Sequence, residues 1–350
     1  LTENKLASKK KKSSDFLVQG AILGIASILV RVIGLIYRVP LNNILGEKGI
    51  SFYGVAYDVY SILLILSSYS MPLAVSKMVS ARVSVGQYRN TKRIFIGAIV
   101  FSLSVGIIAF LVTFFGADVF ARLWNYPQSA LALKVLSPAL IIMSVLGVLR
   151  GYFQGLGTMV PTALSNIIEQ IINAIVSIVA ARTLFKVAAN EMEAGGFVAN
   201  KAESYGAAGG TLGTVMGALT ALIFMAWLLR AAKKRLDRLA KSDRTTEEAG
   251  MSQIVRVLVF TIIPVIVSTT IYNISSLLDG IVFIQLMQVK GFDPDSIAVL
   301  NGMYTGQYRL IVNVPIALAS ALASSLIPSV VASMALKSRG QVIRKVDSAI

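Results

Sequence analysis

Eight long apolar stretches run through this chain, at residues 16–42, 52–80, 94–115, 131–153, 160–184, 207–230, 253–287 and 297–335. Each is near or above the roughly 20 residues that a helix needs to cross a bilayer. Hydrocarbon offers no partner to a backbone N–H or C=O, so only helices and closed barrels span it, and these stretches are far longer than barrel strands. The expected fold class is an all-α polytopic membrane protein. The composition agrees: 55% of the residues are hydrophobic and 14% charged, where soluble domains carry about 25% charged residues. The connecting segments are too short to hold a separate soluble catalytic domain.

The net charge of +16 does not point to nucleic acid, because the basic residues alternate from loop to loop. Lys5, Lys9–Lys12, then Arg82, Arg89, Lys92 and Arg93, then seven residues from Arg230 to Arg244, then Lys337, Arg339, Arg344 and Lys345 crowd every second connection. The intervening ones hold only Lys48, Arg122, Lys186, Lys201 and Lys290. Lys and Arg mark the cytoplasmic side, so the N-terminus is expected inside a bacterial cell membrane. The Lys-rich start followed by an apolar run resembles a signal peptide, but the run is too long and continues to Tyr37, so it reads as an uncleaved span. The polar insertion 231–252 divides six helices from a further pair. The expected organisation is a basic tail (1–15), a six-helix lobe (16–230), an inter-lobe linker (231–252) and the start of a second lobe (253–350). Cys and His are absent, which excludes disulfides, thiolate nucleophiles, His proton relays and His/Cys zinc sites. No cofactor is expected beyond a coupling cation or proton.

Charges inside the apolar spans carry the functional signal. In the first span Gly20, Gly24, Ser27, Arg31, Gly34 and Arg38 recur at steps of three and four, a single helical stripe. A guanidinium at the bilayer centre costs roughly 2.5–3.5 kcal/mol on insertion scales, so it meets a partner or a cavity. Snorkelling accounts for Arg38 near the outer end but poorly for Arg31, which lies roughly 22 Å along the helix from Phe16. Asp58 in the second span is placed to neutralise Arg38. The fifth span presents Thr162, Asn166, Glu169, Asn173 and Ser177 on one face with Gln170 beside them; Glu169 binds a cation or proton, or balances an arginine. The seventh carries Asn273 and Asp279, and the eighth Arg309 and Asn313. Asp279 and Arg309 are expected to pair. The polar residues Ser27, Asn166, Gln170, Asn173, Asn273 and Asn313 are expected to line a cavity, with Asp58, Glu169 and Asp279 as coupling or counter-ion groups. Seven prolines in or at the edges of spans point to bent helices. Guanidinium forks suit phosphate, so Arg31, Arg38 and Arg309 mark an anionic headgroup, such as a pyrophosphate on an amphiphile. No phosphate-loop, paired-carboxylate or H-E-x-x-H motif is present, and no catalytic or metal residue is assigned.

Arg31-Val32-Ile33-Gly34-Leu35-Ile36-Tyr37-Arg38-Val39-Pro40-Leu41 resembles the first helix of the stage V sporulation protein B and MurJ-type flippases, within the multidrug/oligosaccharidyl-lipid/polysaccharide exporter superfamily. Arg150-Gly151-Tyr152-Phe153-Gln154-Gly155, followed by Pro161-Thr162-Ala163 and Ile168-Glu169-Gln170, resembles that family's helix four–five region. The resemblance implies two six-helix lobes around a central cavity, alternating access, and transport of an undecaprenyl-pyrophosphate-linked sugar precursor. First-helix arginines of the family engage the pyrophosphate, and Arg31 matches that position, with Arg38 next. The family has twelve to fourteen helices, so this chain is expected to be a fragment: one complete lobe and two helices of the second.

The leading expectation is a non-enzymatic flippase for a lipid-linked cell-wall or polysaccharide precursor. Its partners would be that lipid-linked oligosaccharide, the bilayer and cell-wall synthesis enzymes, with no nucleic acid. A cation-coupled multidrug exporter of the same superfamily is the second reading. A membrane glycosyltransferase or polymerase on the same lipid is the third; it would need a catalytic carboxylate in the largest outer loop, Leu184–Tyr205.

Overall fold

A computed structural model of the protein describes residues 2–193, 200–243, 250–309, 311–312 and 315, with side chains from residue 19 onward except at 192–193 and 272–277. Asn313, the side chain of Asn273 and the eighth expected span beyond residue 315 lie outside the described residues. Among the described residues all regular structure is helical: α1 (Thr2–Leu64), α2 (Met71–Ser84), α3 (Tyr88–Leu123), α4 (Ser129–Leu136), α5 (Pro138–Gly155), α6 (Val160–Glu193), α7 (Lys201–Ser242), α8 (Met251–Val289) and α9 (Pro294–Met303). Among the described residues six continuous helical segments are long and apolar enough to cross a membrane. The first, Gln19–Ser84, holds both expected spans 16–42 and 52–80.

Between those two spans one residue of α1 leaves helical geometry. Gly46 takes φ 63° and ψ 177°, a region open essentially to glycine alone. Arg38 and Leu41 share a cavity with Tyr53 and Tyr57. On a straight helix Arg38 and Tyr57 would be roughly 28 Å apart, so the limb after Gly46 folds back along the limb before it. A Cβ at Gly46 would touch nothing within 4 Å, so any penalty of substitution is backbone strain rather than a clash. Gly46→Ala is therefore expected to destabilise the protein by about 1–3 kcal/mol, seen as a lower thermal midpoint of the detergent-purified protein; an unchanged midpoint would refute the strained reversal.

The second limb ends in a π-helical turn, Ile65–Tyr69, just before Pro72 at the start of α2. Proline has no N–H for the carbonyl four residues back, and its ring crowds that carbonyl, so the wider turn falls where the regular ladder would fail. Three of the other prolines start helices rather than bend them: Pro138 opens α5, Pro161 stands second in α6 and Pro294 opens α9. Pro40 and Pro264 lie inside α1 and α8. At the head of α9 the Asp293 carboxylate accepts from Ser296 N at 2.9 Å and from its Oγ at 2.6 Å. These bonds hold its carboxyl below the usual carboxylate range.

Helices meet through small residues, as they must where hydrocarbon removes the hydrophobic driving force. On α5, a Cβ at Gly151 would stand 2.7 Å from the Pro72 carbonyl oxygen and one at Gly155 2.6 Å from Val79 Cβ, so α5 lies directly on α2. On α7, a Cβ at Gly209 or Gly217 would stand 2.5 Å from the carbonyl oxygen of Ala180 or Glu169, which sets α7 against α6 along much of its length. Large apolar side chains such as Ile108, Phe115 and Phe260 stay exposed, a surface suited to lipid.

Two segments expected as connections are helical over much of their described residues. The polar stretch read as an inter-lobe linker continues α7 through Ser242. The stretch read as the largest outer loop belongs to α6 up to Glu193 and to α7 from Lys201, and Lys201 Nζ meets Glu191 Oε2 at 2.6 Å. α8 touches the preceding helices at both of its ends. Ile254, Leu258 and Ile262 pack with Val75, Val79 and Ile94, while Ile284 joins the cluster holding Leu133, Leu136 and Ile297.

Candidate substrate site

At the Gly46 end the helix-1 hairpin meets the segment 294–309. Asn42 Nδ2 donates to the Gly306 carbonyl at 2.8 Å, Asn301 Nδ2 donates to Ser51 Oγ at 2.7 Å, and Lys48 Nζ lies 3.0 Å from Asp295 Oδ1. A Cβ on Gly302 would overlap the Glu47 carbonyl, and one on Gly54 would stand 2.7 Å from Thr305 Cγ2. A second π-helical turn, Tyr304–Tyr308, brings Thr305 and Gly306 to this contact. Its Tyr304 and Tyr308 rings stack at 5.5 Å, and Tyr304 stacks on Phe283 of α8 at 6.1 Å.

Beneath the contact lies a cavity of about 150 Å³, lined among others by Arg38, Tyr53, Tyr57, Asp58, Thr305 and Arg309. Arg309 Nη1 lies 3.3 and 3.4 Å from the two Asp58 carboxylate oxygens. The tyrosines are held by their neighbours: Tyr53 and Tyr57 pack at 5.0 Å, and the Tyr57 hydroxyl lies 2.6 Å from Thr214 Oγ1 of α7. Two guanidiniums from residues 271 positions apart therefore line one cavity together with a single carboxylate, which Arg309 engages. The local balance is positive, which suits an anion. As it stands the cavity has room for a few waters.

The other sequence-chosen residues distribute as follows. Arg31 is exposed and does not line this cavity. Ser27 donates to the Leu23 carbonyl of its own helix at 2.8 Å. Gln170 approaches Gly34, where a Cβ would stand 3.1 Å from Gln170 Nε2. Asn166 is half-buried on the same helix as Gln170. Asn173 is buried in the α6–α7 seam, its Oδ1 2.9 Å from Ser177 Oγ. Asp279 is exposed on α8, and Arg309 takes Asp58 as its carboxylate partner in place of the expected Asp279.

Glu169 meets a cation that sequence reasoning did not pair with it. Arg150 Nη2 lies 2.6 Å from Glu169 Oε2, and Arg150 Nε donates to Ser165 Oγ at 2.8 Å. One turn on, Gln154 Nε2 donates to Thr162 Oγ1 at 3.3 Å. Arg150 and Gln154 ascend α5 as Ser165 and Thr162 descend α6, an antiparallel polar ladder. The signal was available: an arginine in an apolar span and a glutamate in the next, joined by a tight turn.

Comparisons with known proteins now bear on these contacts. The family described as polysaccharide biosynthesis protein matches residues 17–334. Stage V sporulation protein B of Bacillus subtilis (strain 168) is 26% identical over 340 residues, 96% of this chain and 62% of that protein. Lipid II flippase MurJ of the same organism is 28% identical over 184 residues, 50% of this chain and 34% of that protein. The chain thus spans less than two thirds of the length of these curated relatives. Among solved structures, a MATE protein in the straight conformation superposes with a TM-score of 0.66 at 13% identity, over 97% of this chain and 69% of that one. A MOP superfamily transporter from Pyrococcus furiosus gives 0.63 at 15%, over 95% and 68%. At these identities the structures establish a shared fold, that of the MATE and MOP-superfamily transporters. With its family match running from the first span to residue 334, the chain belongs to the polysaccharide biosynthesis protein family.

Proposed function

We propose that this chain is part of a flippase that carries an undecaprenyl-pyrophosphate-linked cell-wall or polysaccharide precursor across the bacterial cell membrane by alternating access. The observation that carries the proposal is the convergence of Arg38 and Arg309, from opposite parts of the chain, on one cavity at a helix–helix contact built from small residues. A contact of that kind can part without tearing a packed core, and parting it exposes two guanidiniums to an anionic headgroup. Arg31 lies about 10 Å before Arg38 on the same helix and extends the cationic path toward the other face. The relatives named for lipid II flipping and for spore formation support the substrate class.

The competing readings meet specific obstacles. A cation exporter needs embedded acids for its cargo, yet Asp58 and Glu169 are each held by an arginine. A polymerase needs a substantial outer loop with a catalytic carboxylate, yet most of the described residues of 184–205 are helical and Glu191 is tied to Lys201. Asp279, exposed on α8, is the acid left for coupling to a proton or cation. The alternating basic connections put the N-terminus and the Arg230–Lys241 end of α7 in the cytoplasm, with the Gly46 end outside.

In the full-length gene, Arg31→Ala and Arg38→Ala are each expected to abolish growth rescue of a strain depleted of its lipid II flippase, at unchanged protein level in the membrane. Normal growth of both variants would overturn the assignment.

A further inference from the structure

A second cavity, of about 590 Å³, lies between the start of α3 and the end of α7, at the opposite end of the bundle from Gly46. Its size falls within the range of sites that take small molecules. Phe95, Ile96, Trp227 and Leu229 supply its apolar lining, with the buried Tyr152 on its floor. Lys92, Arg230, Lys233 and Asp237 stand at its polar margin.

The two helices change character at the same level. On α3, Lys92 and Arg93 precede the apolar run that begins at Ile94. On α7, the apolar run from Ala221 to Leu229 ends at Arg230. Phe95, Leu228 and Leu229 pack against one buried cluster, and Lys92 Nζ lies 3.4 Å from Asp237 Oδ1. The groove therefore crosses the boundary between hydrocarbon and headgroups, where an exposed indole such as Trp227 is favoured. Asp237 balances Lys92, so Arg230 and Lys233 give the margin its net positive charge.

We propose that this groove binds one anionic phospholipid, with an acyl chain against Ile96 and Trp227 and the phosphate at Arg230 and Lys233. An apolar slot opening onto two cations at headgroup depth matches both halves of such a molecule, and a zwitterionic lipid leaves the cations unmatched. A second copy of this chain fits less well: a two-fold contact would set each copy's Arg230 and Lys233 against their own counterparts. The proposal does not rest on the transport reading, since the groove shares no residue with the Arg38–Arg309 cavity.

The test is native mass spectrometry of the full-length protein titrated with phosphatidylglycerol or phosphatidylcholine. The wild type is expected to retain one phosphatidylglycerol on the order of tenfold more strongly than phosphatidylcholine, since each basic residue at this level adds to anionic-lipid affinity. Arg230→Gln/Lys233→Gln is expected to reduce phosphatidylglycerol retention to the phosphatidylcholine level, and Ile96→Trp, which fills the slot, to lower retention of both. The single variant Lys233→Gln, at an exposed residue, is expected to lose about half of the preference on a logarithmic scale and serves if the double variant is unstable. Equal retention of the two lipids by the wild type, full phosphatidylglycerol retention by the charge variants, or a dimer abolished by Ile96→Trp would each overturn the proposal. Flippase rescue by the lipid-binding variants is read separately, so failure of one reading leaves the other standing.

Discussion

Replacing Glu169 by leucine is expected to be among the most destabilising single changes in this chain. The Arg150 side chain is 11% exposed and that of Glu169 21%, so the guanidinium would lose its carboxylate partner in a setting largely shielded from water. Ser165 would remain as a neutral acceptor. Breaking a buried ion pair from one side costs about 3–5 kcal/mol, whereas replacing both partners by apolar groups of similar size is often neutral or better. The thermal midpoint of Glu169→Leu in detergent should fall by on the order of 10 °C, and Arg150→Met/Glu169→Leu should recover most of it. The pattern across the two variants is the test. A double variant as unstable as the single one would mean that Glu169 acts through something other than Arg150, such as a bound cation.

That ion pair also shows what the sequence conveyed and what it withheld. The block from Arg150 to Gly155 was recognisable as a motif, and its two faces are now separable. Arg150 and Gln154 face α6 and form the polar ladder, while Gly151 and Gly155 face α2 and admit its backbone. Spacing along one helix revealed the faces but not which neighbour each one meets. The spans themselves were legible because hydrocarbon forces helices wherever apolar runs are long enough. The reversal between the first two was legible only as a break between apolar stretches, and its placement at Gly46 was not.

Partners distant in sequence were not legible. Asp58 was assigned to Arg38 by proximity in a hairpin, and Arg309 to Asp279 by neighbouring helices. The structure joins Asp58 to Arg309 across 251 positions and leaves Arg38 beside the tyrosines of the same cavity. Asn42 and Asn301, which tie the same contact, carry no periodic signal at all. Asn173 read as a cavity residue because it shares a polar stripe with Glu169. Yet a stripe in a membrane helix serves equally to bond a neighbouring helix, and the glycines of α7 bring that neighbour within reach.

Gly302→Val is expected to hold the Gly46 end open. The Glu47 carbonyl occupies the space that a Cβ at residue 302 requires, and a carbonyl on a helix terminus has little freedom to move aside. Small-to-large changes in a packed contact cost about 1–3 kcal/mol. Here the cost is escaped by separating the helix-1 hairpin from the segment 294–309, which abolishes the Asn42–Gly306 and Ser51–Asn301 bonds. A bias of that size raises the open-to-closed ratio by about tenfold or more. The absence of cysteine from these 350 residues makes the measurement direct. Thr305→Cys places a thiol in the cavity wall at nearly constant volume, and its reaction with a membrane-impermeant maleimide added from the Gly46 side reports opening. Labelling should be about tenfold faster in the Gly302→Val background, with Gly302→Ala intermediate. Equal rates in all three would mean that this contact is a fixed part of the fold, and the proposed alternating access would then have to open along another seam.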